Sequence, residues 1–176
     1  MNNQLTVRQL LDKVQEQLEG QIFSNKFGAE LEVSRAVQDI LRDNGIAEGS
    51  VRFMKSPWGA THGNTFVLMC PNRNEMVHVN LRLKQVKKAD GYAHRYSTTD
   101  WSLKELETWG NEDNTTILDL VARDTKIKED IEKKKQDTKE ELFELMDEVG
   151  YERFKKLAKF YTDKAYSLEK EYEARA

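Results

Sequence analysis

Four side chains invite a chemical reading first: His62, Cys70, His78 and His94, with the histidines sixteen residues apart. Imidazole and thiolate are zinc ligands, but a site needs several of them converging on one point. None stands at the close spacing of a zinc hook. The strand pairing derived below also sends Cys70 to one sheet face and His78 to the other, so no metal site is predicted. His62 lies in Trp58-Gly59-Ala60-Thr61-His62-Gly63-Asn64, a glycine-flanked loop entering a strand. His78 would face outward beside Asn80 and Arg82. Two imidazoles and a guanidinium suit acid–base work on a phosphodiester. His62 and His78 are therefore the candidate catalytic pair of a histidine-dependent phosphodiesterase or nuclease. The competing reading is a turn histidine and an exposed strand histidine. Cys70 reads as a small core residue near a strand end. No nucleotide-binding loop, serine elbow or zincin motif accompanies them. The chain is read as a non-enzyme without a cofactor, with the phosphodiesterase as an alternative.

The charge pattern points elsewhere. Net charge is −3 over 176 residues, but it is unevenly laid out. Residues 1–50 carry five Lys/Arg against eight Asp/Glu, residues 51–97 eight against two, and residues 98–176 fifteen against twenty-one. A basic middle thus sits between acidic flanks.

The elements that would position these groups follow from periodicity. Residues 7–19 predict a helix opened by a Thr6/Gln9 capping box, with Leu10, Leu11, Val14 and Leu18 on one face and Gly20 as its stop. Ile22, Phe23 and Phe27 are expected to pack in the connection. A second helix runs from about Ala29 to Asp43 and ends at Asn44-Gly45. The period then changes from 3.6 to 2 across Val51–Lys55, Asn64–Cys70 and Met76–Lys84, with turn chemistry at Pro71-Asn72-Arg73-Asn74. A symmetric hairpin there pairs residues whose numbers sum to 145. Phe66 then faces Val79 and Leu68 faces Val77 on a core face, while Thr65, Val67, Met69, Met76, His78, Asn80, Arg82 and Lys84 share the other. A second hairpin at Asp90-Gly91 leads into Tyr92–Ser97 and sets Arg95 opposite Val86. Arg82, Lys84, Lys88 and Arg95 would then line one non-core face. A one-residue slip would reverse that placement. Phe53, Trp58, Tyr92 and Tyr96 are candidate stacking surfaces beside it.

Helix is expected to return after Asp100. Ser102 and Glu105 form a capping box, with Trp101 and Leu106 as staple partners, and the helix ends near Trp109-Gly110. From Thr116 the chain reads as helical nearly to its end, interrupted at Gly150. Between Arg123 and Glu140 only Ile127 and Ile131 are strongly apolar, so that stretch reads as solvated. Beyond Gly150, Phe154, Ala158, Tyr161, Ala165, Leu168 and Tyr172 step by four and three, a heptad seam.

The fold class expected is α+β: an N-terminal helix pair, a central three- to four-stranded antiparallel meander and a long C-terminal helical hairpin. Residues 1–110 form the globular domain, and 111–176 a charged helical hairpin or coiled-coil-like extension. The tail either folds back or dimerises, and its seam names the expected homodimer interface. The 34% charged content, against roughly 25% in ordinary chains, indicates much solvated surface. No run approaches a membrane span and no signal pattern is seen. Cys70 is the only cysteine, so no intrachain disulfide forms, and a reducing, cytoplasmic setting with no membrane partner is expected.

The function expected is a non-enzymatic binding or regulatory protein that engages a nucleic acid or nucleoprotein complex through its basic sheet face. The alternative is a protein-interaction or inhibitor protein acting through the helical tail. In general character only, the chain resembles accessory and phage-type regulatory proteins, and no motif ties it to any one of them.

Overall fold

The computed structural model describes residues 5–57, 65–86, 100–108 and 112–173, with only the helical backbone described over 166–173. The fold is α+β. Helices α1 (Val7–Gln17) and α2 (Lys26–Asp43) precede strands β1 (Arg52–Lys55), β2 (Thr65–Met69), β3 (Met76–Val86) and β4 (Asp100–Thr108). A short turn of 3-10 helix at Glu112–Asn114 leads into α3 (Ile117–Val149) and α4 (Tyr151–Glu173). The strands form one antiparallel sheet in the order β1-β2-β3-β4. The chain divides into two compact units, residues 1–128 and 129–176. The first continues past residue 110, because Ile117, Leu120 and Asp124 at the start of α3 are buried in it.

The first unit is built as its sequence dictates at most positions. Thr6 and Gln9 form the reciprocal capping box of α1. Helix α2 starts earlier than apolar spacing suggests, at Lys26, because the Asn25 side chain accepts from the Gly28 amide at 2.7 Å. Phe23 is buried, but Ile22 and Phe27 are exposed, contrary to the expectation that all three pack. The end of α2 is a Schellman turn. Gly45, with φ 69°, donates its amide to Arg42, and Ile46 donates to Leu41 while packing beside it in the core.

The β2–β3 register is the one derived from the Asn72-Arg73 turn. Phe66 faces Val79, Leu68 faces Val77 and Thr65 faces Asn80. Phe66, Leu68, Val77, Val79, Leu81 and Leu106 form the sheet side of a continuous core with Leu10, Leu11, Val14, Val33, Val37 and Leu41 from the two helices.

Two expectations are corrected in β4. Residues 100–108 form a strand, not a capped helix, and Val86 stands opposite Asp100 rather than Arg95. Leu81 pairs with Leu106 but Leu83 pairs with Leu103, a one-residue shift that leaves Lys104 as an extra residue in a bulge. The bulge puts Leu103 and Leu106 on one face at a spacing of three. That spacing imitates a helix period in sequence. The expected strand at Tyr92–Ser97 lies outside the described residues.

The outer edge of β4 is covered. Phe23 and Trp101 exchange backbone hydrogen bonds, each 2.7 Å, and the Leu106 amide donates to Gln15 Oε1 at 3.1 Å. Covering an edge in this way blocks strand addition.

In the second unit α4 follows α3 at Gly150, whose φ of 82° only glycine adopts without strain. Large apolar side chains stand exposed along both helices here, among them Leu142, Phe143 and Leu145 on α3 and Leu157, Phe160 and Tyr161 on α4. Among the described residues of this unit none is buried.

Candidate functional site

The non-core face of the sheet is mixed in character. Across β1, β2 and β3 it runs in rows: Arg52, Met69 and Met76, then Met54, Val67 and His78. Val67 and Met69 are buried, although neither belongs to the helix-packed core. Along β3 itself the basic residues come after His78 and Asn80, at Arg82 and Lys84.

Arg82 is already engaged. β4 places Glu105 directly across from it, and the guanidinium meets Glu105 Oε2 at 3.2 Å and Glu107 Oε2 at 3.6 Å. The carboxylates that neutralise it come from the neighbouring strand. Lys84 stands opposite Ser102 and is exposed, with no ion pair among the described residues. Lys88 and Arg95 lie outside the described residues. So do His62, His94, Trp58, Tyr92 and Tyr96. Phe53 is in the core, stacked on Phe66 with ring centroids 4.8 Å apart, and offers no stacking surface.

His78 is half-buried on the non-core face, opposite Val67. Cys70 is buried on the core side, and its thiol is pushed up to about 12, by burial first and then by Asp124 and Glu75. A thiol so held is no nucleophile near neutral pH. Among the described residues no three His, Cys, Asp or Glu side chains converge as metal ligands.

The most organised polar centre is one the sequence reading passed over. Asp124, fully buried, accepts the amides of Asn72 at 2.8 Å, Asn74 at 2.8 Å and Glu75 at 3.1 Å. The Asn74 side chain in turn donates to the Asp124 carbonyl. One carboxylate from α3 thus fixes the whole β2–β3 turn. Its neighbour Arg123 bridges Glu75 and Glu112. A signal was present: Asp124 continues the stripe of buried Ile117 and Leu120 and half-buried Val121, where an acidic residue must find donors.

That turn holds Arg73 at φ 63°, a left-handed conformation costly for any residue but glycine, asparagine or aspartate. Beside it lies an open groove of about 630 Å³ between the start of β1, the end of β2, the Glu48-Gly49 loop and α2. Arg52 and Arg73 line it together with Met54, Met69 and Pro71. Arg8, Arg35, Arg42, Arg82 and Arg123 are all ion-paired. The other two arginines described in this unit, Arg52 and Arg73, have no ion pair among the described residues, and both face this groove.

On the heptad seam Phe154 is half-buried, and Ala158, Tyr161 and Ala165 are exposed. Leu168 and Tyr172 continue the helix. No helix of the described residues is long and apolar enough to cross a membrane.

Compared with known proteins, the chain matches no family model, no curated protein and no solved structure.

Proposed function

We propose that this chain is a non-enzymatic binding or regulatory protein that assembles through its C-terminal helices, with a second copy of itself as the first partner. The observation that carries this is apolar exposure on a helix of 23 residues: Leu157 is 40%, Phe160 50% and Tyr161 54% exposed. Contiguous apolar side chains left in water mark interaction surfaces. The four-three spacing from Phe154 to Tyr172 suits a like helix, because each seam residue then meets its own kind across the pair. Sedimentation of the full chain at tens of micromolar tests the reading, with Ala158→Glu/Tyr161→Glu as the comparison. A dimer that the double variant converts to monomer is expected. A monomeric wild type overturns it.

A nucleic acid or nucleoprotein partner on the basic β face is the second reading. It is favoured by the exposed Lys84 and by the excess of six positive charges over residues 51–97. The Glu105 and Glu107 partners of Arg82 weaken it, since a phosphate there competes with two carboxylates. Phosphate binding falls steeply as salt rises. Binding abolished by Arg82→Glu/Lys84→Glu, in a protein that still folds, would support this surface. Salt-insensitive binding counts against it. No observation favours the phosphodiesterase alternative.

A further inference from the structure

We propose that the groove between β1, the β2–β3 turn and α2 binds a phosphate-bearing ligand of nucleotide size, held by the Arg52 and Arg73 guanidinia. Three observations converge on it. The first is the charge pattern: among the described residues of this unit, the two arginines without an ion pair both line one groove. Glu48 also lines it, but its carboxylate is held by Arg42 at 3.1 Å. Guanidinium groups are suited to phosphate because their planar donors engage two oxygens at once.

The second observation is conformational. Arg73 occupies a left-handed position, φ 63°, where glycine would fit without strain. The flanking amides of Asn72 and Asn74 are fixed by Asp124, so the turn is held whatever side chain stands at 73. Its amide donates to the Cys70 carbonyl at 3.1 Å, a backbone bond that does not require arginine. The Arg73 side chain has no ion pair among the described residues, and a strained residue with such a side chain points to a ligand.

The third observation is size and lining. About 630 Å³ falls within the range of small-ligand sites, and Met54, Met69 and Pro71 give the groove an apolar side for a flat, weakly polar group. The backbone near its mouth is fixed too. Gln38 accepts from the Gly49 amide at 2.7 Å and donates to the Val51 carbonyl at 3.0 Å, which ties the loop to α2. The inference is independent of assembly through the helices, and a monomeric tail variant should retain the site.

A free nucleotide and a nucleotide within a single strand present the same phosphate chemistry. The full-length protein would be titrated with adenosine monophosphate and, separately, with an octathymidylate strand, following backbone amide shifts. Saturable shifts at Gly49, Arg52 and Arg73 are expected from at least one. Arg52→Gln and Arg73→Gly should each weaken binding by about tenfold or more. Arg73→Gly should at the same time leave the melting temperature unchanged or raise it, a combination a purely structural arginine would not give. Arg73→Asn, also tolerant of the left-handed region, serves as the second variant if the glycine form folds poorly. Saturation by the monophosphate assigns the site to free nucleotides, and binding of the strand alone, with the same sensitivity, assigns it to single strands. Absence of shifts from both probes, or wild-type affinity in the Arg52 and Arg73 variants, overturns the proposal.

Discussion

The two units of this chain treat apolar side chains in opposite ways. In residues 1–128 most leucines and valines of two helices and four strands close into one core, while Ile22, Phe27 and Leu31 stay exposed, and the buried Asp124 has its donors supplied. In residues 129–176 no described side chain is buried, and leucine, phenylalanine and tyrosine face water. The first unit contains what it needs to fold. The second has helix-forming sequence and exposed apolar side chains, the feature from which association through the tail is proposed. The units can be followed separately, because Trp58, Trp101 and Trp109 all lie in the first and none in the second. Tryptophan fluorescence therefore reports the first unit, and far-ultraviolet circular dichroism weights the long helices.

The largest effect that sharpens this contrast is expected at Asp124. Asp124→Ala leaves the Asn72, Asn74 and Glu75 amides without their acceptor. Buried orphaned donors each cost about 1–3 kcal/mol, so a loss of roughly 3 kcal/mol or more is expected in the fluorescence-detected urea transition. If the transition moves by less than about 0.5 kcal/mol, the carboxylate does not hold the turn.

A pair of leucines tests the comparison directly. Leu68 is fully buried on the core face, and Leu157 is 40% exposed on α4. Leu68→Ala should cost about 2–5 kcal/mol by transfer and cavity terms. Leu157→Ala in a monomeric background should cost within about 0.5 kcal/mol, the usual range for surface positions. Equal losses would mean that α4 is packed in solution and would break the contrast between the units.

How far the fold could be read from sequence divides along the same physical line. The β2–β3 register was legible because a two-residue turn and strict alternation leave one parity. The same holds for α1, whose capping box is local chemistry. β4 is hidden because Ser102 and Glu105 imitate a capping box with Trp101 and Leu106 as staple partners, while the bulge at Lys104 breaks the alternation that marks a strand. The candidate site suffered from that error. In sequence Arg82 reads as an available cation, but β4 sets Glu105 and Glu107 beside it, whereas nothing local marks Arg52 and Arg73. Which arginine lacks a carboxylate depends on pairings between distant segments, and no local window contains that information. On the tail, spacing alone predicted the seam but left open whether it folds back or pairs. Exposure along α4 is what favours pairing.

The smallest expected effect is electrostatic and belongs to the 3-10 turn that precedes α3. Glu112 accepts from the Thr115 hydroxyl at 2.6 Å and from Arg123 at 3.2 Å, and both hold its carboxyl below the usual carboxylate range, the Thr115 bond most strongly. Lowering the folded value means that the unfolded chain takes up a proton first as pH falls. The contribution is therefore complete above the unfolded carboxylate range and disappears as pH falls through the folded value. Because Glu112 is 40% exposed, solvent screening limits it to about a few tenths of a kcal/mol. Thr115→Val removes the largest cause and keeps the backbone bonds that join Thr115 to Glu112 and Val7. Fluorescence-detected unfolding of the two proteins should differ slightly above the usual carboxylate range and converge once the pH has fallen below the folded value. A difference that stays constant with pH would assign the effect of Thr115 to packing, and one that grows in acid would reverse the sign argued here. The helical signal of residues 129–176 should be indifferent to the substitution throughout, because the lost bond stabilises only the unit that already closes its own core.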